Sequence, residues 1–255
     1  MKKMMIFLIT GLMAVVLAAC GGNEESKEAK NDDKAKTAET AQQKEQQKQM
    51  AEMQKKLKAQ QVDEKKTVAI VNDEVISGSD YNSALAYTQG QMQQMGQAPT
   101  SKEAAEQVKN QTIDSLVGQT LLLQEADKKG YKASEADINK KLGEVKKQFK
   151  TEKEFEAALK KSGMDMKTLE TQIAEDLKLN QYIEKEVPAG EVTDEEIQKT
   201  YNQYAEQGKS AGQEVPKLEK VKPQIEQSLQ QKKQQDKLAQ LVQELKKNAK
   251  IEIKI

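Results

Sequence analysis

Histidine is the side chain most suited to moving protons or holding a metal near neutral pH, and this sequence has none. His-based general acid/base chemistry and His metal ligation are removed together. There is one cysteine, Cys20, so neither an internal disulfide nor a thiolate metal cluster can form within the chain. Its chemistry has to come from its position. Carboxylates remain. Adjacent pairs stand at Asp32-Asp33 and Glu195-Glu196, but both read as helix caps or solvated charge rather than a catalytic pair. No catalytic residue, no metal ligand and no cofactor is expected. Every basic residue is Lys, Arg is absent and the formal net charge is zero. Without a basic excess or guanidinium forks, nucleic acid is not an expected partner.

The composition limits what can position any site. Only 36% of residues are apolar, 32% are charged and 4% are aromatic. Such a chain buries a thin core, so one or two elongated helical lobes fit better than one compact globule.

The N-terminus reads as an address. Met1-Lys2-Lys3 is a basic start, Met4–Leu17 is apolar and uncharged, and Leu17-Ala18-Ala19-Cys20 supplies small residues before a cut site. The run is short for a membrane span, which takes about 20 apolar residues. The sequence around Cys20 resembles the bacterial lipoprotein signal. That resemblance implies removal of residues 1–19, thioether lipidation of Cys20 and residence on the extracytoplasmic face of a cell membrane, with the lipid anchor as the membrane contact. An uncleaved anchor, or an ordinary secretory signal with an incidental Cys, are the alternatives.

Residues 21–66 are rich in Glu, Lys, Gln and Ala, with few apolar residues and no aromatics. Together with Cys20 they read as a flexible tether, with a reach on the order of 35–40 Å. A frayed helix over Gln42–Gln61, carrying Met50, Met53 and Leu57 at helical spacing, is the alternative.

The body, residues 67–255, reads as mainly α. Thr67–Val71 has the β-branched content of a strand, Asn72–Glu74 a turn, and Lys250–Ile255 alternates Lys or Glu with Ile. Pairing of these two ends in a short sheet is expected to close the module. Helix starts are written as [ST]xx[DE] at Ser77–Asp80, Thr100–Glu103, Ser134–Asp137, Thr151–Glu154 and Thr193–Glu196. Apolar stripes follow: Ile113, Leu116, Val117 and Leu121 on a helix over Lys102–Lys128; Ile138, Leu142, Val145 and Phe149; Phe155, Ala158 and Leu159; Leu169, Ile173 and Leu177. A last helix runs from near Pro216 to Asn248, roughly 50 Å long. Its two apolar stripes, Val221–Leu229 and Leu238–Leu245, flank a polar middle at Gln230–Lys237, as in a strut between two lobes.

Four blocks in order carry a family resemblance. Val68-Ala69-Ile70-Val71-Asn72 with Ile76 and Asp80-Tyr81 resembles the opening of the SurA N-terminal-domain family. Ile113, Leu116, Leu121–Leu123, Ala126 and Gly130 resemble its second helical block. Val192–Ile197 with Tyr201 matches a further block, and Val221–Ile225 the start of its returning helix. The family includes periplasmic SurA, the Gram-positive foldase lipoprotein PrsA and, more distantly, the chaperone part of trigger factor. The resemblance covers residues 67–255. It implies a SurA-type helical chaperone module, a Gram-positive extracytoplasmic setting, and unfolded or newly exported polypeptides as partners.

One departure bears on activity. In PrsA-like proteins a parvulin prolyl-isomerase domain precedes the returning helix, and parvulin sites use histidines. Here that place is a short loop over residues 205–217, too short for a domain. A chaperone that binds without catalysis is therefore expected. An adaptor for one native partner, or an isomerase by family name alone, are the alternatives. Tyr87, Met92 and Met95 on the first body helix, and Tyr201 and Tyr204 beside the loop, are the expected client contacts, since Met and Tyr suit adaptable surfaces. Oligomeric state is not written in these patterns.

Overall fold

The computed structural model of the protein describes residues 33–162 and 164–255, with side chains from residue 45 onward except residue 46. Cys20 and the expected signal segment lie outside the described residues. The described residues divide into two units between Ala51 and Glu52.

Helix α1 spans Asp33–Lys58. It is built from Ala, Gln, Lys and Glu, which favour helix without needing a packed face. Within the expected tether of residues 21–66, residues 33–58 are thus helical, and the helix starts well before the alternative at Gln42. The polypeptide after it is not loose either. Val62 packs against the first core, and Asn82 brackets its backbone, accepting from the Val62 N–H at 3.0 Å and donating to its carbonyl at 2.8 Å. The folded body therefore begins before Thr67.

Three strands form one antiparallel sheet in the order β2-β1-β3: β1 at Thr67–Val71, β2 at Glu74–Ser77 and β3 at Ile251–Ile253. As expected, the two ends of the body pair, with Ala69 opposite Ile253 and Val71 opposite Ile251. The turn between β1 and β2 is tighter than expected, because Glu74 already belongs to β2. Asn72 takes a left-handed φ of 56° there, which Asn tolerates better than most residues. Its side chain donates to Gln124 Oε1 at 2.7 Å and accepts from the Lys250 N–H at 3.0 Å. One residue thus joins the hairpin, a helix and the returning strand.

Helices make up the rest. α2 (Gly78–Gln94) starts on a capping box, with Ser77 and Asp80 each satisfying the other's backbone N–H. Gly78 leaves space for the incoming chain: a Cβ there would lie 1.9 Å from the Asp63 carbonyl oxygen. α3 (Lys102–Lys128) has the expected bounds, but Ser101 caps it, accepting from the Ala104 N–H at 3.1 Å, rather than Thr100. α4 (Glu135–Lys146), α5 (Glu152–Lys161) and α7 (Asp194–Ser210) start at Ser134, Thr151 and Thr193 as read. α6 (Met166–Glu186) is capped by Asp165, which the pattern did not single out. α8 (Leu218–Asn248) begins two residues after Pro216 and carries Pro223 inside its second turn.

Three small cores share long helices. The first joins the sheet, α2 and the first half of α3 through Val68, Val71, Ile76, Tyr81, Leu85, Val108, Ile113 and Val117. The second joins the ends of α3 and α6 to α8 through Leu122, Ala126, Tyr182 and Val187, with Leu238, Leu241 and Val242 against them. The third lies among α4, α5 and α6 around Leu142, Phe155, Leu159 and Ile173. Each fully buried aliphatic side chain contributes about 1.5–3 kcal/mol, so small linked cores suffice only because α3, α6 and α8 run between them. At Gly118 a Cβ would lie 3.1 Å from Val242, marking the close approach of α3 and α8.

Candidate functional site

The carboxylates are best taken first, since they were the remaining candidates for chemistry. Glu196 completes the α7 capping box and accepts from Lys233 Nζ at 2.8 Å; that hydrogen bond, foremost, holds its pKa below the usual range. Asp194 pairs with Lys222 at 2.7 Å and is lowered by it. Glu195 lies in the same first turn. These groups cap and pin. Of the other pair, Asp33 opens α1 and Asp32 lies outside the described residues. Glu186 accepts from Lys129 and from the Tyr131 hydroxyl, ties that hold the loop after α3 against the end of α6 and lower the Glu186 pKa.

Two acids run the other way. Burial pushes the Glu175 and Asp176 carboxyls on α6 up. At Glu175 the charges of Glu74, Asp80 and Asp176 add to the rise, and only Lys178 opposes it. Among the described residues no group of His, Cys, Asp and Glu is arranged to hold a metal ion, and no helix is long and apolar enough to cross a membrane. An open groove beside Glu103, Gln107, Asn110 and Asp114 is lined by α3 alone and is a polar helix flank.

The five expected client contacts divide by exposure. Tyr87 and Met95 are 63% exposed and Tyr204 is 46% exposed. Met92 is partly buried against the first core. Tyr201 is half-buried, and its hydroxyl donates to the Pro216 carbonyl at 3.0 Å. α2 packs on α3 and the sheet, whereas α7 packs on α8. Tyr87 and Met95 therefore have one support, Tyr201 and Tyr204 another, and α2 and α7 share no substantial packing surface.

The loop beside Tyr204 is shorter than the expected span of 205–217. Residues 205–210 continue α7, and Ala211–Lys217 alone connects it to α8. Helix continues because Ala205–Ser210 contains nothing that stops it except Gly208. A Cβ at Gly208 would meet Val215 at 2.8 Å, so the connection folds back closely on the helix.

Sequence reasoning singled out the apolar residues of α2 but missed the polar ones between them. Gln91, Gln93 and Gln94 are exposed beside Tyr87 and Met95. The missed signal is simple: no charged residue occurs between Asp80 and Lys102, in a chain that is 32% charged.

Small linked helical cores, a sheet closed by the two ends of the body and an exposed helix face without charge from Tyr81 onward make up this helical module. Residues 59–183, just under half of the chain, match the family model described as SurA-like N-terminal domain, and the chain is similar there to PrsA and SurA proteins. A foldase protein PrsA of Clostridium perfringens is 33% identical over 160 residues, covering 59% of this chain and 46% of the relative. A foldase protein PrsA of Clostridium botulinum is 27% identical over 158 residues, 57% of this chain and 47% of the relative. A chaperone SurA of Alcanivorax borkumensis is 28% identical over 159 residues, 62% of this chain and 35% of the relative. The chain thus spans about half the length, or less, of these relatives. A solved SurA-like chaperone of Campylobacter jejuni overlaps it only partially, with a TM-score of 0.47 at 12% identity, over 74% of this chain and 98% of that one.

Proposed function

We infer that this protein is an extracytoplasmic chaperone, anchored to the membrane through lipid on Cys20, that holds unfolded or newly exported polypeptides without bond chemistry. The observation that carries the reading is the SurA-like domain of residues 59–183 set in a body whose α7 runs into α8 through Ala211–Lys217 alone. In PrsA-like proteins the family resemblance implies an isomerase domain at that place. Seven residues fold no domain. Exposed Tyr87, Met95 and Tyr204 supply the adaptable surface that holding requires.

The test is aggregation of several unrelated denatured proteins in the presence of the full chain. Suppression at near-stoichiometric amounts supports the chaperone. Saturable binding to one native partner, without suppression, replaces it with the adaptor reading. A proline-limited refolding reaction is expected to proceed at its uncatalysed rate; clear acceleration overturns binding without catalysis.

A further inference from the structure

The stretch from Tyr81 to Ser101 is the longest uncharged run outside the apolar N-terminal segment. It forms nearly all of α2 and the connection to α3. Its inner side is used. Tyr81, Leu85, Thr88 and Gln89 are buried. Its outer side presents Tyr87, Gln91, Gln93, Gln94 and Met95, with Tyr87, Gln91 and Met95 spaced four apart along one face. Elsewhere the protein covers its helices with Lys and Glu, as a solvated surface of this composition must. Here, from Tyr81 onward, the solvent-facing side of α2 carries amides, soft apolar groups and the small residues Ser83 and Ala86, and no charge.

The inner side of α2 and the segment before β1 show how side-chain amides pair with peptide groups within this protein. Asn82 reads both the N–H and the carbonyl of Val62. Gln89 donates to the Leu57 carbonyl at 3.2 Å, and Gln60 donates to the Pro99 carbonyl at 2.7 Å. In each case a side-chain amide pairs with a peptide group and is indifferent to which residue owns it. An amide offers both donor and acceptor, so it matches a peptide unit in either orientation. A charge placed on such a face must be desolvated when a neutral chain covers it, and an amide costs far less.

We propose that the outer face of α2 is a docking surface for extended, charge-poor segments of unfolded polypeptide, with the Gln amides pairing to peptide groups and Tyr87 and Met95 packing the intervening apolar side chains. This rests on the chaperone reading and specifies its site and the class of segment held. Neutrality of the face selects the occupant: a segment rich in Lys or Glu would lose hydration there and find no counter-charge.

The probe is a short, labelled, unstructured peptide of Gln, Asn, Ser, Leu and Tyr, beside versions carrying interspersed Lys or interspersed Glu. Binding is read by anisotropy with the full chain, and aggregation suppression is measured in parallel. The neutral peptide is expected to bind about tenfold tighter than either charged one. A Gln91→Lys/Gln94→Lys variant, in which helix propensity is unchanged, should weaken the neutral peptide several-fold and strengthen the Glu-containing one. Gln227→Lys, on an exposed part of α8, should change neither. Tyr87→Ser should lower binding of the neutral peptide while far-UV circular dichroism stays the same. If the chain suppresses aggregation but its affinity ignores peptide charge and the α2 variants, the docking surface is overturned and the chaperone reading stands. If the chain neither binds the peptides nor suppresses aggregation, both fall.

Discussion

Asn72 shows how much one residue can settle in a thin-cored protein. Its left-handed backbone turns β1 into β2, and its amide reaches Gln124 on α3 and Lys250 at the entry to β3. Asn72→Gly keeps the backbone freedom and loses both side-chain bonds. It should cost about 1–3 kcal/mol, read as a lower urea midpoint. Asn72→Ala should cost about 1 kcal/mol more, because a Cβ without a local hydrogen bond disfavours that φ. Equal midpoints for Asn, Gly and Ala would refute the junction role. Glu175 gives a pH-dependent counterpart. Burial first, then Glu74, Asp80 and Asp176, raise its folded pKa above the unfolded value. The native state then holds the proton more strongly, so this group's contribution becomes less favourable as pH rises through the window between the two values. Glu175→Gln should therefore raise thermal stability at neutral pH, with the gain fading as pH falls toward the unfolded pKa. A gain that grows on acidification would show the sign to be wrong.

At the scale of elements, α8 differs most from its sequence pattern. Its polar middle, expected as a solvated strut, is bonded along its length to the connection between α6 and α7. Lys233 donates to the Glu191 carbonyl at 2.7 Å as well as to Glu196, Gln234 to the Val187 carbonyl at 3.2 Å, and Lys237 to the Pro188 carbonyl at 2.9 Å. Apolar ends then seat it twice, Ile225 within its first half and Leu238–Leu245 on the second core. Since α7 packs on α8, this middle fixes the α7 arm to the body. Lys233→Ala should lower the urea midpoint only slightly, because an ion pair whose side chains are about a third exposed is screened by solvent. It should also speed hydrogen exchange in α7 while α3 is unaffected. Uniform exchange across both helices would mean that the bonds do not hold the arm.

For the molecule as a whole, closure by β3 is the decisive long-range event. Ile251 packs on the first core, whereas Ile253, two residues on along the same strand, is 55% exposed. Ile251→Ala should cost about 1–2 kcal/mol and lower Tm by a few degrees, while Ile253→Ala should change Tm little. If the two substitutions act alike, the returning strand does not anchor the body as described. The stability of the body then depends on residues distant in sequence from the exposed face of α2.

Sequence alone determined the class of fold, most helix starts and the pairing of the two ends. Those features rest on bonds within three or four residues, as at Ser77, Ser134, Thr151 and Thr193, or on short periodic runs such as Lys250–Ile255. Physical chemistry writes such patterns locally. The choice of Ser101 over Thr100, the run of α7 through residues 205–210, the seating of Met92 against the core beside an exposed Met95, and the bonds along the α8 middle were decided by tertiary structure. Each depends on which distant group covers a side chain, and periodicity marks a face without naming its neighbour. The candidate surface lay between the two. Its lack of charge was written in the sequence, but its exposure belonged to the packing of α2 on α3 and the sheet.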